Sequence, residues 1–326
     1  MNKLFLKQFF CKPRILVFFI SFNCNLHCAM CFSWIKQKQI KEPTLDEIRT
    51  IFNDRMLKNN LEVINITGGE PTLRQDLPEI VKIILQNCSR LKRIDISTNG
   101  VNTSQVIDQV ERVLAVLLPT NVQLSVSVSL DGVGEVHEKV RETPGIFSNV
   151  EKTILGLKEL MSLYPFFNLG LNMTVSKLNY KAMDATREFA KNKGLGINFT
   201  LAAISDIGVE SIRARERFEM NQEEKDQVML SLKDLLLIGA LDSDYARFLF
   251  TWLKTGKRNG ICAFRQGKAF LLEPDSHIYS CGNFKEFMLG NIMEQPFRTL
   301  RNQLSSFRKA YPKRCLTCNS NCYLDV

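Results

Sequence analysis

The chain has 326 residues, 45% hydrophobic and 24% charged, an ordinary globular composition sized for one large α/β domain with a smaller appendage. No run of 18 or more apolar residues occurs, which excludes a membrane-spanning helix. Ten cysteines set in short clusters in a lysine-rich chain read as metal binding in a cytoplasmic setting and not as a disulfide scaffold. The net charge of +9 is uneven, with seven Lys/Arg against one acid in residues 1–43 and twelve against five in residues 254–326. No aromatic-interleaved basic run accompanies it, so a nucleic-acid partner is not expected.

Lys3, Lys7, Lys12 and Arg14 precede a short apolar run, Ile15–Ile20. The run lacks the length and the small-residue cleavage site of a signal peptide, so Ile15–Phe22 is expected to be a buried first strand. Leu4, Phe5, Phe9 and Phe10 are expected to pack on the core. The next nine residues, Cys24-Asn25-Leu26-His27-Cys28-Ala29-Met30-Cys31-Phe32, carry three thiols spaced C-x3-C-x2-C. Structural zinc sites close with four ligands and an iron–sulfur cubane usually takes four thiolates. Three thiols therefore leave one metal position open.

Downstream, strand and helix patterns alternate. Thr44 with Glu47 predicts a capping box, followed by helical spacing of Leu45, Ile48, Ile51 and Phe52. Glu62–Thr67 reads as a strand ended by Gly68-Gly69-Glu70-Pro71, and Asp76–Asn87 as a helix. Arg93–Ser97 is a strand ended by Thr98-Asn99-Gly100, and Thr103–Leu118 a helix stopped at Pro119. Val122–Leu130 is a strand ended by Asp131-Gly132, and Ser148–Leu163 a helix. Leu169–Val175, Tyr180–Lys193 and Ile197–Ala202 complete the series as strand, helix and strand. Six such units imply a parallel sheet with right-handed crossovers and fall short of a closed eight-stranded barrel. The glycine-marked polar loops follow the strands, where α/β folds place their working groups.

Beyond, Asn221–Ile238 and Ser243–Lys254 read as helices of a connector, Phe270–Leu272 and His277–Ser280 as a hairpin, and Met293–Phe307 as one helix begun near Pro296. Cys262 precedes the hairpin, Cys281 follows it, and the tail carries Cys315, Cys318 and Cys322. Cys11 and Cys88 read as packing residues. His137 is expected to cap a helix or lie on the surface.

These motifs together resemble the radical S-adenosylmethionine superfamily: C-x3-C-x2-C after a first strand, Gly68-Gly69-Glu70-Pro71 after the second, and Ser129-Leu130-Asp131-Gly132 with Arg141 following. The resemblance implies a partial (β/α)6 TIM-like barrel with a small cysteine-rich C-terminal domain of the twitch or SPASM kind. The implied division is an extension at residues 1–12, a core at 13–205, a helical connector at 206–254 and an auxiliary domain at 255–326. Cys24, Cys28 and Cys31 would hold a [4Fe–4S] cluster whose open iron binds S-adenosylmethionine (AdoMet). One-electron cleavage then gives a 5′-deoxyadenosyl radical that takes a hydrogen atom from substrate. The resemblance also implies that Glu70 accepts from the methionine ammonium and that Gly68 and Gly69 allow close backbone approach, with Pro71 closing the motif. Ser97, Asn99, Ser129 and Asp131 would line the cofactor, Arg141 would pair with its carboxylate, and Asn172 is a further candidate. Met30 stands where the family usually has an aromatic beside the adenine; Phe32 could supply that face.

Cys262, Cys281, Cys315 and Cys318 look like ligands of one auxiliary [4Fe–4S] cluster, with structural zinc as the alternative. Cys322 is either a further ligand or a free thiol able to donate a hydrogen atom. The expected substrate is a small molecule such as a sugar or alcohol, undergoing oxidation or epimerisation. A peptide is second, because no separate leader-binding segment precedes residue 13. The resemblance further implies an electron donor such as flavodoxin or ferredoxin. A non-catalytic iron–sulfur or zinc protein is the competing class.

Overall fold

The computed structural model describes residues 12–28, 30–31, 33–37, 39–202, 218–237, 243–259, 262–304, 315–316 and 318. Leu4, Phe5, Phe9, Phe10, Cys11, Phe32 and Cys322, and much of the expected connector, lie outside them. Six parallel strands come first: β1 (Ile15–Ser21), β2 (Val63–Gly68), β3 (Arg93–Thr98), β4 (Gln123–Ser129), β5 (Phe167–Val175) and β6 (Gly196–Leu201). The helices of seven or more residues between them are α1 (Leu45–Phe52), α2 (Leu77–Asn87), α3 (Thr103–Leu117), α4 (Glu135–Arg141), α5 (Phe147–Leu163) and α6 (Met183–Asn192). This is the partial (β/α)6 barrel arrangement.

Strand alternation sorts the two faces of the sheet. Ile64, Ile66, Ile94, Ile96, Leu124, Val126 and Val128 are fully buried on one face, in a single core with the inward residues of α1, α2, α3 and α5. The other face is half-buried and polar. Asn65, Asp95 and Ser125 sit side by side in register, as do Ser97 and Ser127, and then Ser129, Asn172 and Asn198. The polar face makes the inside of the barrel a surface of hydroxyls and amides, with the carboxyl of Asp95 among them.

The capping box forms as the sequence implies. Thr44 accepts from the Glu47 N–H at 3.2 Å, and the Glu47 carboxylate accepts from the Thr44 N–H at 2.7 Å. An equivalent reciprocal pair, Asn221 with Glu224, opens α7 (Gln222–Leu237). α8 (Ser243–Thr255) packs on α7, and together they cover Met173, Val175, Phe199 and Leu201 at the far end of the sheet.

The C-terminal hairpin is not a separate sheet. Its first strand, β7 (Ala269–Leu272), pairs in parallel with β1, Ile15 opposite Ala269. β8 (His277–Tyr279) and β9 (Met288–Asn291) add antiparallel beyond it, giving one nine-stranded sheet in the order β6-β5-β4-β3-β2-β1-β7-β8-β9. Phe297 of α9 (Phe297–Arg301) packs edge-on against Phe270 of β7, their ring centroids 4.8 Å apart. Of the helix expected over Met293–Phe307, the start near Pro296 is present and the α-helical part ends at Arg301, while residues 305–307 lie outside those described. Among the described residues no helix is long and apolar enough to cross a membrane.

Candidate functional site

Loops at the C-terminal ends of β1 to β5 surround a cleft of about 360 Å³. Cys24, Cys28, Met30 and Cys31 line it from the thiol loop, Gly68 and Gly69 from the β2 loop, and Ser97 and Asn99 from β3. Ser129 and Arg141 complete the expected wall. The structure thus brings the three thiols and most of the expected cofactor-facing residues to one place. Glu70, Pro71, Asp131 and Asn172 are not among the lining residues.

Glu70 lies beneath the wall, 1% exposed. Its carboxylate accepts from the Thr72 N–H and hydroxyl, the Thr98 hydroxyl at 2.9 Å and the Asn99 N–H at 2.6 Å. It therefore clasps the β2 loop to the end of β3. Burial raises its pKa, against the pull of these donors.

The two glycines are required by the same packing. Gly68 has φ +142°, and a Cβ there would lie 2.1 Å from the Ser21 carbonyl oxygen; at Gly69 it would lie 2.0 Å from that of Asn23. Their missing side chains let the β2 loop press onto the chain that enters the thiol loop, where the Gly69 and Glu70 N–H groups donate to Ser21 and Asn23.

Asp131 is fully buried behind the cleft and organises the β4 loop. Its carboxylate accepts from Arg141 Nε at 2.7 Å and from the Thr174 N–H at 2.8 Å. Its own N–H donates to His137 Nδ1 at 3.1 Å, and its carbonyl accepts from Asn179 Nδ2. His137 is accordingly buried rather than on the surface, its imidazole edge-on to Phe147. Burial, reinforced by the Arg141 charge, depresses its pKa to about 3.

Arg141 Nη1 reaches to 3.9 Å from Cys28 Sγ. Burial disfavours the guanidinium charge, yet Asp131 and the Cys28 sulfur outweigh that and raise its pKa. Asn99 Nδ2 lies 3.8 Å from Cys24 Sγ and donates to Asn25 Oδ1 at 2.7 Å, tying β3 to the thiol loop. Asn172 instead faces β6, within hydrogen-bond distance of Thr200 and Asn198.

Burial pushes the Cys24 thiol up to about 11, partly relieved by the Leu26 N–H, and raises Cys28 against the influence of Arg141. Thiols in such a place ionise readily only beside a strong positive charge, which bound iron supplies. With Cys31 on the same cleft wall, Asn99 as a donor to Cys24 and Arg141 as a donor to Cys28, the three sulfurs suit a three-thiolate iron–sulfur centre.

The C-terminal thiols also converge. Burial raises Cys262, Cys281 and Cys315, and each is raised further by its neighbours; for Cys281 these are Cys262, Cys318 and Cys315. Arg258 Nη1 donates toward Cys318 Sγ at 3.7 Å, Asn283 Nδ2 at 3.5 Å, and the Arg265 N–H donates to Cys262 Sγ at 3.4 Å. Donors that reach the sulfurs of Cys262 and Cys318 suit thiolates that ligate a cluster. Cys88, by contrast, packs in the core with its thiol pushed by burial up to about 12.

Residues 18–190 match the Radical SAM superfamily. The chain belongs to that superfamily. A [4Fe–4S] cluster and AdoMet are its cofactors. The chain is 26% identical to an AdoMet-dependent heme synthase of Methanosarcina barkeri, over 95% of this chain and 92% of that protein. It is 25% identical to the antilisterial bacteriocin subtilosin biosynthesis protein AlbA of Bacillus subtilis, over 90% of this chain and 60% of that protein. Among solved structures, native anSMEcpe with bound AdoMet shares the fold with a TM-score of 0.66 at 18% identity, over 93% of this chain and 83% of that one.

Phe19, Leu26, Thr67, Thr98, Thr174, Gly282 and Asn283 also line the cleft, and sequence reasoning missed them as site residues. Thr67 stands directly before the Gly68–Pro71 motif, Thr98 within the Thr98-Asn99-Gly100 stretch, and Thr174 two residues after Asn172 on the same face of β5. Gly282 and Asn283 had no such signal, because only the pairing of β7 with β1 brings them near.

Proposed function

We propose that this protein is a radical AdoMet enzyme that abstracts a hydrogen atom from a polar substrate held in the barrel mouth. The observation that carries this reading is the convergence of Cys24, Cys28 and Cys31 with Arg141 on one cleft at the C-terminal ends of the strands. When bound, the cluster and AdoMet supply one-electron cleavage of the sulfonium and, with it, a hydrogen-abstracting group. The three thiolates hold the cluster, and Arg141 offsets their negative charge. Its other N–H groups would meet the carboxylate of AdoMet. Asp131 fixes the guanidinium from behind, and His137 fixes the backbone of Asp131. Asn99 and Ser129 would give hydrogen bonds to the cofactor, Met30 would pack against it, and Glu70 would hold the β2 loop in place for its ammonium.

In this reading residues 13–205 are the catalytic core, and Cys262, Cys281, Cys315 and Cys318 would hold a second [4Fe–4S] cluster, which would supply a one-electron acceptor. A flavodoxin- or ferredoxin-type donor and a cytoplasmic setting belong to the same reading. The substrate favoured is a peptide side chain. One relative takes part in bacteriocin biosynthesis, and the rows of hydroxyls and amides on the inner face suit the amides of a peptide. A small molecule is the second reading, favoured by the match to the heme synthase over 92% of its length.

The test is isotopic. Candidate peptides and small molecules carrying deuterium are incubated with AdoMet and dithionite, and transfer of deuterium into 5′-deoxyadenosine names the class. Cleavage of AdoMet that no added candidate stimulates or labels would count against hydrogen abstraction from either.

A further inference from the structure

One turn touches both thiol groups. The chain leaves β8 through Cys281, Gly282 and Asn283. Cys281 is one of the four converging C-terminal thiols. Gly282 and Asn283 form part of the wall of the cleft that Cys24, Cys28 and Cys31 line. Asn283 Nδ2 donates to Cys318 Sγ at 3.5 Å, so one side chain belongs to the wall of the cleft and to the surroundings of a C-terminal sulfur.

The chemistry of an amide at that position is specific. A hydrogen bond to a ligating sulfur draws negative charge from it, which favours the reduced cluster and raises its reduction potential. The same side chain lines the cleft, so a polar group brought there meets the amide that binds Cys318. Arg258 and the Arg265 N–H also serve the C-terminal sulfurs, but neither residue lines the cleft. They set a fixed background, whereas Asn283 meets whatever the cleft holds.

We propose that Asn283 is a positioning residue that couples the two sites: through its bond to Cys318 it sets the reduction potential of the C-terminal cluster, and filling the cleft changes that bond. This rests on the reading of Cys262, Cys281, Cys315 and Cys318 as cluster ligands. Its consequence is an electron acceptor whose readiness depends on whether the cleft is loaded.

The experiment is a redox titration of the reconstituted full-length protein, followed by electron paramagnetic resonance, with and without AdoMet. Wild type, Asn283→Ala and Asn283→Gln are compared. Iron analysis and a second cluster signal in the wild type come first. Their absence overturns the two-cluster reading itself, and the inference with it. With both signals present, Asn283→Ala should shift the reduction equilibrium of the C-terminal cluster about tenfold toward the oxidised form, a fall of roughly 59 mV for a one-electron couple. The cluster of Cys24, Cys28 and Cys31 should keep its potential. AdoMet should move the C-terminal potential in the wild type and not in Asn283→Ala, and Asn283→Gln should restore part of the difference. A change of less than twofold in Asn283→Ala, or an AdoMet response as large there as in the wild type, overturns the coupling. Loss of the C-terminal signal in both variants also overturns it, because a donor that only positions is dispensable for ligation.

Discussion

Arg141 and Asp131 form a buried ion pair at the wall of the cleft. Asp131→Asn keeps the shape but leaves a largely buried guanidinium without its counter-charge, at a stability cost on the order of 3 kcal/mol. Its effect on AdoMet should exceed what lost stability explains. The Kd measured by calorimetry at a temperature where both proteins are folded should rise roughly tenfold or more, about 1.4 kcal/mol. An unchanged Kd would show that Arg141 does not meet the cofactor. His137 adds a pH signature. Its imidazole takes a proton near 6.5 when unfolded but only near 3 when folded, so between those values the unfolded state binds the extra proton. The stability that comes from keeping it neutral is therefore present above pH 6.5 and lost as pH falls toward 3, by at most about 1.4 kcal/mol per pH unit. His137→Asn offers the Asp131 N–H another acceptor and does not titrate. Its melting temperature should fall less than that of the wild type between pH 7.5 and 5.5, and equal slopes would refute this. The motif pointed to Glu70 and the two glycines as cofactor contacts. Structurally they also lock two loops together, a duty that depends on carbonyls of another strand and leaves no mark in a four-residue motif.

At the scale of elements, the βα alternation was readable because each unit has its own period and its own stop. The Thr44–Glu47 box illustrates this: both partners lie within four residues, and Thr44→Ala should cost about 1 kcal/mol in chemical denaturation. The β2 loop is less forgiving. A Cβ at residue 69 cannot coexist with the Asn23 carbonyl at 2.0 Å. Gly69→Ala should therefore displace the loop from the thiol segment, lowering the melting temperature and abolishing AdoMet cleavage. Cleavage at the wild-type rate would mean the loop contact is dispensable. β9 escaped the sequence reading because it has only four residues, one of them Gly290 at φ +126°. α4 escaped because its seven residues bury only His137 and Val140, too little for a helical period to stand out.

At the scale of the molecule, the C-terminal segment is built onto the barrel. β7 covers the edge of β1, and a Lys36–Glu273 ion pair at 2.6 Å ties the chain just after the thiol loop to the hairpin turn. No local pattern signals either link, since their partners lie more than 230 residues apart. A chain cut after residue 254 would expose the β1 edge and lose the Phe270–Phe297 contact. It should give markedly less folded protein, read by gel filtration. The central claim is that Cys24, Cys28 and Cys31 hold the open cluster and that the C-terminal thiols hold another. Anaerobic reconstitution followed by iron and sulfide analysis, with dithionite-dependent 5′-deoxyadenosine formation measured on the same samples, tests it most directly. The wild type should carry about eight irons and cleave AdoMet. Cys28→Ala should lose cleavage, while Cys318→Ala should lose about half the iron and keep the first cluster. Zinc in place of iron with no 5′-deoxyadenosine, or full cleavage by Cys28→Ala, would contradict the account.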